Sequence, residues 1–431
     1  MSFEFNPNWP TRTDPVFVVR MLEQATGNSL SADQKSAVCA VLVGLPVGAS
    51  MRDFVAAMKT KDAEVLRITP EQSTVLEPIF GAIQMWKERK PQHTGDELDG
   101  ATLARDFLNK AGISERLDRP GVSEVAINRP GEIWTEGVDG WQREEAPWLT
   151  FDLCRQVANA LAAYSHRHLS AETPIHTVEL PNGERCQIVM PPACEKGTIS
   201  LTVRKPSLDR FSLQDYIDSG RFDQAQSVAT STVELADWQR ELKELHAAGA
   251  WSEFFALAIQ HRLNIIIFGG PGSGKTTLGK ALMDLFPRDR RLITIEEINE
   301  MKLPFHANHV HLLYGATVTA KELVASCLRM KPDHLFLAEL TGDEAWHFME
   351  ILNTGNPGTV TTAHANDSVS GYARVGGLVK QSVVGQGLDM AYIERQVRIS
   401  FDVVVYMERT HILEVHYEPE AKLALLNQGR A

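Results

Sequence analysis

From Gly269 to Thr276 the chain reads Gly-Gly-Pro-Gly-Ser-Gly-Lys-Thr, which fits the spacing G-x-x-x-x-G-K-[ST] without a gap. Glycines at this density let successive backbone N–H groups point into one concavity. A helix starting there adds the partial positive charge of its N-terminus. The chemistry is capture of a phosphate chain, with ATP as ligand and Mg2+ as companion. Gly270, Gly272, Ser273, Gly274, Lys275, Thr276 and Thr277 make the cradle. Lys275 would reach the β- and γ-phosphates, and the Thr276 hydroxyl would ligate the metal. Hydrolysis also needs a metal-side acid and a group that aligns water. Glu339 ends the apolar run Leu335 to Ala338, where a strand opens into the ligand crevice, and is suited to the Mg2+ shell, directly or through water. Glu296 and Glu297 follow the run Leu292 to Ile295 and could orient or deprotonate the attacking water.

These residues need elements that hold them together. A β-branched run, Asn264 to Phe268, enters the glycine loop, and Leu278, Leu282 and Leu285 continue after it at the spacing of one helix face. With the runs 292–295, 335–338 and 359–362, short apolar strands alternate with helical stretches. That pattern predicts a buried, largely parallel sheet. Upstream, Glu124 to Asn128 and Glu132 to Thr135 flank the turn Arg129-Pro-Gly131, and Thr150/Asp152 starts a helix carrying Leu153, Val157 and Leu161. The expected architecture is α/β. It has a helical extension over 1–95, a mixed α/β N-terminal domain over 96–206, a polar surface linker over 207–250 and a P-loop domain over 251–431. Within the linker, 221–234 reads as flexible and 236–248 as a charged helix.

At 431 residues there is chain enough for two or three cores. The balance of 43 basic against 55 acidic residues, net −12, does not favour DNA binding. The five cysteines form no CxxC pair, so neither a zinc ribbon nor a disulfide framework is expected. The opening residues lack a signal-peptide layout and no apolar run spans a bilayer, which predicts a cytoplasmic protein. His306, His309 and His311 alternate without a Cys or Asp to complete a metal set, and Cys186 and Cys194 read as buried thiols. The segments 401–406 and 412–417 read as a terminal antiparallel pair with a structural role.

The order P-loop, then Ile293 to Glu300, then Leu328 to Leu340, then Thr354 to Asp367 resembles the secretion ATPase superfamily of type II secretion, type IV pili and type IV secretion. Leu180 to Cys186, Ile199 to Ser207 and Pro120 to Pro130 resemble the N-terminal domain of the type IV secretion traffic ATPases. The resemblance covers roughly residues 101 to 425. It implies a RecA-like motor domain, a homo-hexameric ring and ATP bound between the two domains of each subunit. Nucleotide cycling would move one domain against the other about the linker. The implied partners are other secretion-system ATPases and inner-membrane components, at the cytoplasmic face of the inner membrane, with peripheral membrane contact only.

Residue by residue, the resemblance implies an acidic box at Glu296/Glu297, a Walker B strand ending in Glu339 and a His box whose His364 senses the γ-phosphate or supports the acidic box. It also implies phosphate-approaching arginines at Arg185, Arg204 and Arg329. Glu297 stands where the family usually has Asp, which ranks Glu296 as the water-aligning acid. Lys331 stands where Arg is frequent, and the tetracysteine module of type II enzymes is missing, which favours the type IV secretion branch. A pilus or type II secretion assembly or retraction ATPase shares the same chemistry. A nucleotide-gated scaffold with negligible turnover shares the same binding residues.

Overall fold

The polypeptide was analysed as a computed structural model that describes residues 100–206, 212–223, 225, 234–353 and 355–427. The helical reading of 1–95 lies outside the described residues, as does most of the stretch 221–234. After the helices Gly100–Ala111 (α1) and Ile113–Leu117 (α2), three strands follow, Glu124–Ile127 (β1), Gly131–Gly137 (β2) and Gly140–Ala146 (β3). The helix Phe151–Tyr164 (α3) is capped as its sequence suggests, the Thr150 hydroxyl accepting the Leu153 N–H at 3.2 Å. Ile175–Glu179 (β4), Arg185–Val189 (β5) and Ser200–Arg204 (β6) complete an antiparallel sheet of order β3-β2-β1-β6-β5-β4. Its core packs Leu108, Ile127, Ile133, Val157 and Leu161 between sheet and helices.

Two helices follow, Leu213–Asp218 (α4) and Asp237–Ala248 (α5). The charged helix α5 is no loose spacer. Its Leu242 is fully buried against Phe254 and Phe255 of the next helix, Trp251–Gln260 (α6), and its His246 Nε2 meets the Val415 carbonyl at 2.7 Å.

The second half is wound on parallel strands. They are Ile265–Gly269 (β7), Leu292–Glu296 (β8), His309–Leu313 (β9), His334–Leu337 (β10), Val360–Ala363 (β11) and Val403–Glu408 (β12), with His411–Tyr417 (β13) antiparallel at the edge. Helices Lys275–Met283 (α7), Ala320–Cys327 (α8), Glu344–Leu352 (α9), Ser368–Val379 (α10), Val383–Gln386 (α11), Met390–Ser400 (α12) and Pro419–Asn427 (α13) cover them. Strand ladders run in two groups, β10-β8-β9 and β11-β7-β12-β13. The groups meet through side chains: the hydroxyls of Thr359, Thr361 and Thr362 donate to the carbonyls of Leu335, Leu337 and Ala338, and the Leu340 N–H donates to the Thr362 carbonyl at 2.8 Å. The continuous Ile-Ile-Ile-Phe of β7 suits a strand buried on both faces, each such side chain contributing roughly 1.5–3 kcal/mol. One expectation differs: α7 ends at Met283 before Pro287, so Leu285 lies past the helix and is 48% exposed.

The two halves meet around Arg291, which is fully buried. Its Nε donates to the Met330 carbonyl at 2.9 Å, its Nη1 to Asn128 and Asn308 Oδ1 at 2.8 Å each, and its Nη2 to Thr202 Oγ1 at 3.3 Å. The guanidinium lies 4.9 Å from the Trp141 ring. Burial pushes its pKa down to about 10. Around this centre Lys331 pairs with Glu136 and Lys302 with Glu195. Arg291→Ala strands several buried acceptors and opens a void, so it is expected to cost on the order of 4 kcal/mol in a denaturant melt of the full chain. An unchanged midpoint would mean that this contact does not hold the halves together.

Candidate functional site

Because β7, β10, β11 and β12 are parallel, the loops leaving their C-terminal ends share one rim of the sheet. The glycine loop leaves β7. Gly274 stands at the helix start with φ 92°, a left-handed conformation that glycine adopts freely. At Gly269 a Cβ would sit 2.4 Å from the Met407 carbonyl and 2.5 Å from Ser273 Oγ, so only glycine lets the loop pass there. The first turn of α7 begins at Lys275.

Lys275 is 7% exposed and folds back on its own loop, donating to the carbonyls of Gly269 and Gly270 at 2.9 Å each. Its Nζ also lies 3.4 Å from His364 Nδ1, and His364 Nε2 lies 2.9 Å from Glu339 Oε1. Nδ1 also lies 3.2 Å from the Gly269 carbonyl, so it accepts from the ammonium when bare and donates to that carbonyl when it carries the proton. The three side chains thus form one relay, although they leave β7, β10 and β11. Burial lowers the Lys275 pKa from its ordinary value, and the Glu339 charge works the other way. Ser273 Oγ is buried within the loop without a protein partner. An unpartnered hydroxyl beside a folded-back ammonium fits an anion that would draw both.

Glu296 is 1% exposed, and its own segment engages both carboxylate oxygens. Oε1 accepts from Thr294 Oγ1 at 2.7 Å and lies 3.6 Å from His311 Nδ1. Oε2 accepts the backbone N–H groups of Glu300 at 2.8 Å and Met301 at 2.7 Å. Burial opposes its charge, but the nearby His311 imidazole and the hydrogen bonds from Met301, Thr294 and Glu300 prevail and hold the carboxyl below the ordinary glutamate range. Its neighbour Glu297 is exposed. Tyr314, which sequence reasoning did not single out, donates its N–H to the Glu296 carbonyl at 2.9 Å. Its phenol is pushed up to about 12, first by burial and then by the charges of Glu297, Glu344, Glu339 and Glu296. Glu344 was also missed. It is buried and accepts the Thr341 and Gly342 N–H groups at 2.7 and 2.9 Å, which pins the turn after Glu339.

The expected arginines lie elsewhere. Arg185 and Arg204 face each other across β5 and β6, and Arg204 Nε is 3.6 Å from Glu124 Oε1. That same oxygen is 3.8 Å from Lys331 Nζ, in the loop that precedes β10. Arg329 is exposed in the same loop, its Nη1 reaching the Ala325 carbonyl at 3.3 Å. The arginine group therefore sits at the start of the parallel strands and the P-loop at their finish. Burial raises Glu124 to about 7, against Lys331 and Arg204, which lower it. Of the three histidines, His309 and His311 lie on β9, while His306 precedes it and contacts the Phe286 carbonyl at 2.9 Å. No group of three metal-ligating side chains occurs among the described residues. Cys154, Cys186, Cys194 and Cys327 are free and buried. No helix of the described residues is long and apolar enough to cross a membrane.

Residues 225–408 match the Type II/IV secretion system protein family. The chain is 41% identical over 324 residues to the type IV secretion system protein VirB11 of Brucella suis, covering 72% of this chain and 89% of that one. It is 38% identical over 304 residues to the type IV secretion system protein PtlH of Bordetella pertussis, covering 68% and 87%. The crystal structure of the VirB11 ATPase from the Brucella suis type IV secretion system in complex with sulphate superposes with a TM-score of 0.73 at 39% identity, over 76% of this chain and 98% of that one.

Glu296→Ala would leave the Glu300 and Met301 amides without their acceptor. Faster hydrogen exchange at those two amides is the expected outcome. Because the folded pKa is depressed, the carboxylate's stabilisation is present above the ordinary value of 4.5 and is lost as pH falls through the folded pKa. The variant's melt should therefore lose less stability on acidification than the wild type, and parallel acid profiles would refute the assignment.

Proposed function

The chain belongs to the family of type IV secretion system ATPases represented by VirB11, and on that premise we propose that Lys275, His364 and Glu339 form the γ-phosphate end of its ATP site. It is a RecA-like ATPase of a type IV secretion system. The relay from Lys275 through His364 to Glu339 is the observation that carries the site assignment. A γ-phosphate would draw the Lys275 ammonium off the Gly269 and Gly270 carbonyls and accept a hydrogen bond from His364 Nδ1–H, in the neutral tautomer whose Nε2 no longer donates to Glu339. Glu339 would then be released to order the water shell. Phosphoryl transfer needs positioning and charge neutralisation more than covalent help, and these side chains supply both. Thr276 would hold a Mg2+ ion directly and Glu339 through water, where the ion would neutralise phosphate charge. Glu296, saturated by its own loop, anchors the segment that presents Glu297 to the crevice. In this reading it acts on the water through that loop.

Arg185, Arg204 and Arg329 neutralise phosphates in a neighbouring subunit. What supports this is their position at the strand starts: five residues of β7 at ~3.3 Å each separate the two rims by roughly 15 Å. A surface that meets a different surface on an identical copy builds a ring when its rotation closes, and the reading is a homo-hexamer. The ring would work at the cytoplasmic face of the inner membrane, beside other ATPases and inner-membrane components of the secretion system.

Steady-state ATP turnover with Mg2+ tests the reading. Turnover per subunit should rise with protein concentration and vanish in Lys275→Ala. Arg204→Ala should lose about 100-fold or more. Mixing the two inactive variants should restore turnover, because the Arg204→Ala subunit brings an intact P-loop to the intact arginine of its Lys275→Ala neighbour. No recovery in a mixed ring would place both groups in one subunit's site. Tight ATP binding with no Lys275-dependent turnover would leave a nucleotide-gated scaffold.

A further inference from the structure

The turn joining β12 to β13 consists of Arg409 and Thr410, between the paired residues Glu408 and His411. Both lie at positive φ, 49° and 68°. Two-residue hairpins require that handedness but usually obtain it from Asn-Gly. A long arginine followed by a β-branched threonine is a strained choice. Strain of this kind persists where the surroundings hold it, and here the phosphate loop does. The Thr410 N–H donates to the Ser273 carbonyl at 3.2 Å, and a Cβ on Gly274 would lie 3.7 Å from Thr410 Cα.

Strand order fixes what this turn faces. The rim loops follow one another as Glu339 after β10, His364 after β11, the P-loop after β7 and Arg409-Thr410 after β12. Lys275 turns toward His364 and Glu339, so the terminal phosphate of a bound triphosphate lies on that side. The remainder of the ligand then extends across the P-loop toward the β12–β13 turn. Arg409 stands there with its side chain 90% exposed and its Nε 3.8 Å from Glu408, which is itself half exposed.

We propose that Arg409 is a nucleoside-binding residue of the ATP site, its guanidinium covering the face of the base while Thr410 ties the turn to the phosphate loop. The assignment rests on the P-loop reading above. A planar guanidinium stacks on aromatic faces, and the braced turn fixes the backbone from which it reaches.

The experiment measures equilibrium binding of ATP and of inorganic tripolyphosphate, each with Mg2+, to the full chain. Wild type, Arg409→Ala, Arg409→Asn and Lys275→Ala are compared, Asn being at ease in the left-handed conformation. Both Arg409 variants should bind ATP about ten-fold more weakly and bind tripolyphosphate as the wild type does. Lys275→Ala should weaken both ligands. Unchanged ATP affinity in the Arg409 variants overturns the proposal. So does an equal loss for both ligands, because the turn would then merely brace the loop, and so does a loss in the Ala variant that is absent from the Asn variant. Failure of the wild type to bind either ligand, or a Lys275→Ala variant that binds both normally, overturns the P-loop reading instead.

Discussion

Three threonine hydroxyls close the seam on which the site depends. β10 and β11 share no strand ladder among the described residues, yet Glu339 leaves one and His364 the other. The hydroxyls of Thr359, Thr361 and Thr362 reach across to the β10 side, and so turn two sheets into one working rim. A valine at any of these positions would suit a strand equally well and would bury as readily. It would leave a carbonyl of the neighbouring strand without its donor, which is why β-branched but polar side chains stand in an otherwise apolar layer. The 2.9 Å contact of His364 with Glu339 is therefore an outcome of strand assembly rather than of local sequence.

The carboxylates of the site differ by environment, and the difference sorts their tasks. Glu296 is spent on its own chain. Three donors hold it, and its charge is secured by what it holds in place. Glu339 is partly open and touches a histidine that an incoming phosphate can take over. Tyr314 senses both, since each charge helps keep its phenol protonated. The same logic applies to the basic groups. Lys275 is partly desolvated and has only carbonyls and an imidazole for company, an arrangement that a phosphate improves, whereas Arg204 already shares Glu124 with Lys331.

Much of this was legible in the chain, unevenly so. The phosphate loop was legible because its chemistry is local: glycines, lysine and threonine at fixed offsets need only a strand before and a helix after. The parallel sheet followed from short apolar runs between helices. What remained hidden depends on distant segments. Arg291 closes an Arg-Asp-Arg-Arg run that reads as a solvated turn, yet it is the largest fully buried side chain of the described residues. Nothing in the run says which arginine the N-terminal module covers. The terminal hairpin read as structural, and no local signal shows that its turn leans on the P-loop. Glu296 and Glu297 are adjacent and chemically alike, so their opposite burial could not be separated by composition. Leu285 kept the helical spacing but fell beyond a helix that Pro287 cuts short.

The Arg291 contact has a further consequence in its response to salt. Its hydrogen-bond acceptors are a carbonyl, two amides and a hydroxyl, all uncharged, and no solvent reaches it. Mobile ions therefore have little to screen there. The pairs around it, Lys331 with Glu136 and Lys302 with Glu195, are partly open and are weakened within a Debye length that shrinks to ~3 Å at molar salt. The junction between the two halves thus has a centre indifferent to ionic strength and a margin that ionic strength loosens. High salt would loosen those pairs while the guanidinium and the backbone bonds from Leu313 N–H to the Ala193 carbonyl and from Glu195 N–H to the His311 carbonyl stay in place, so the two halves should remain joined in molar salt.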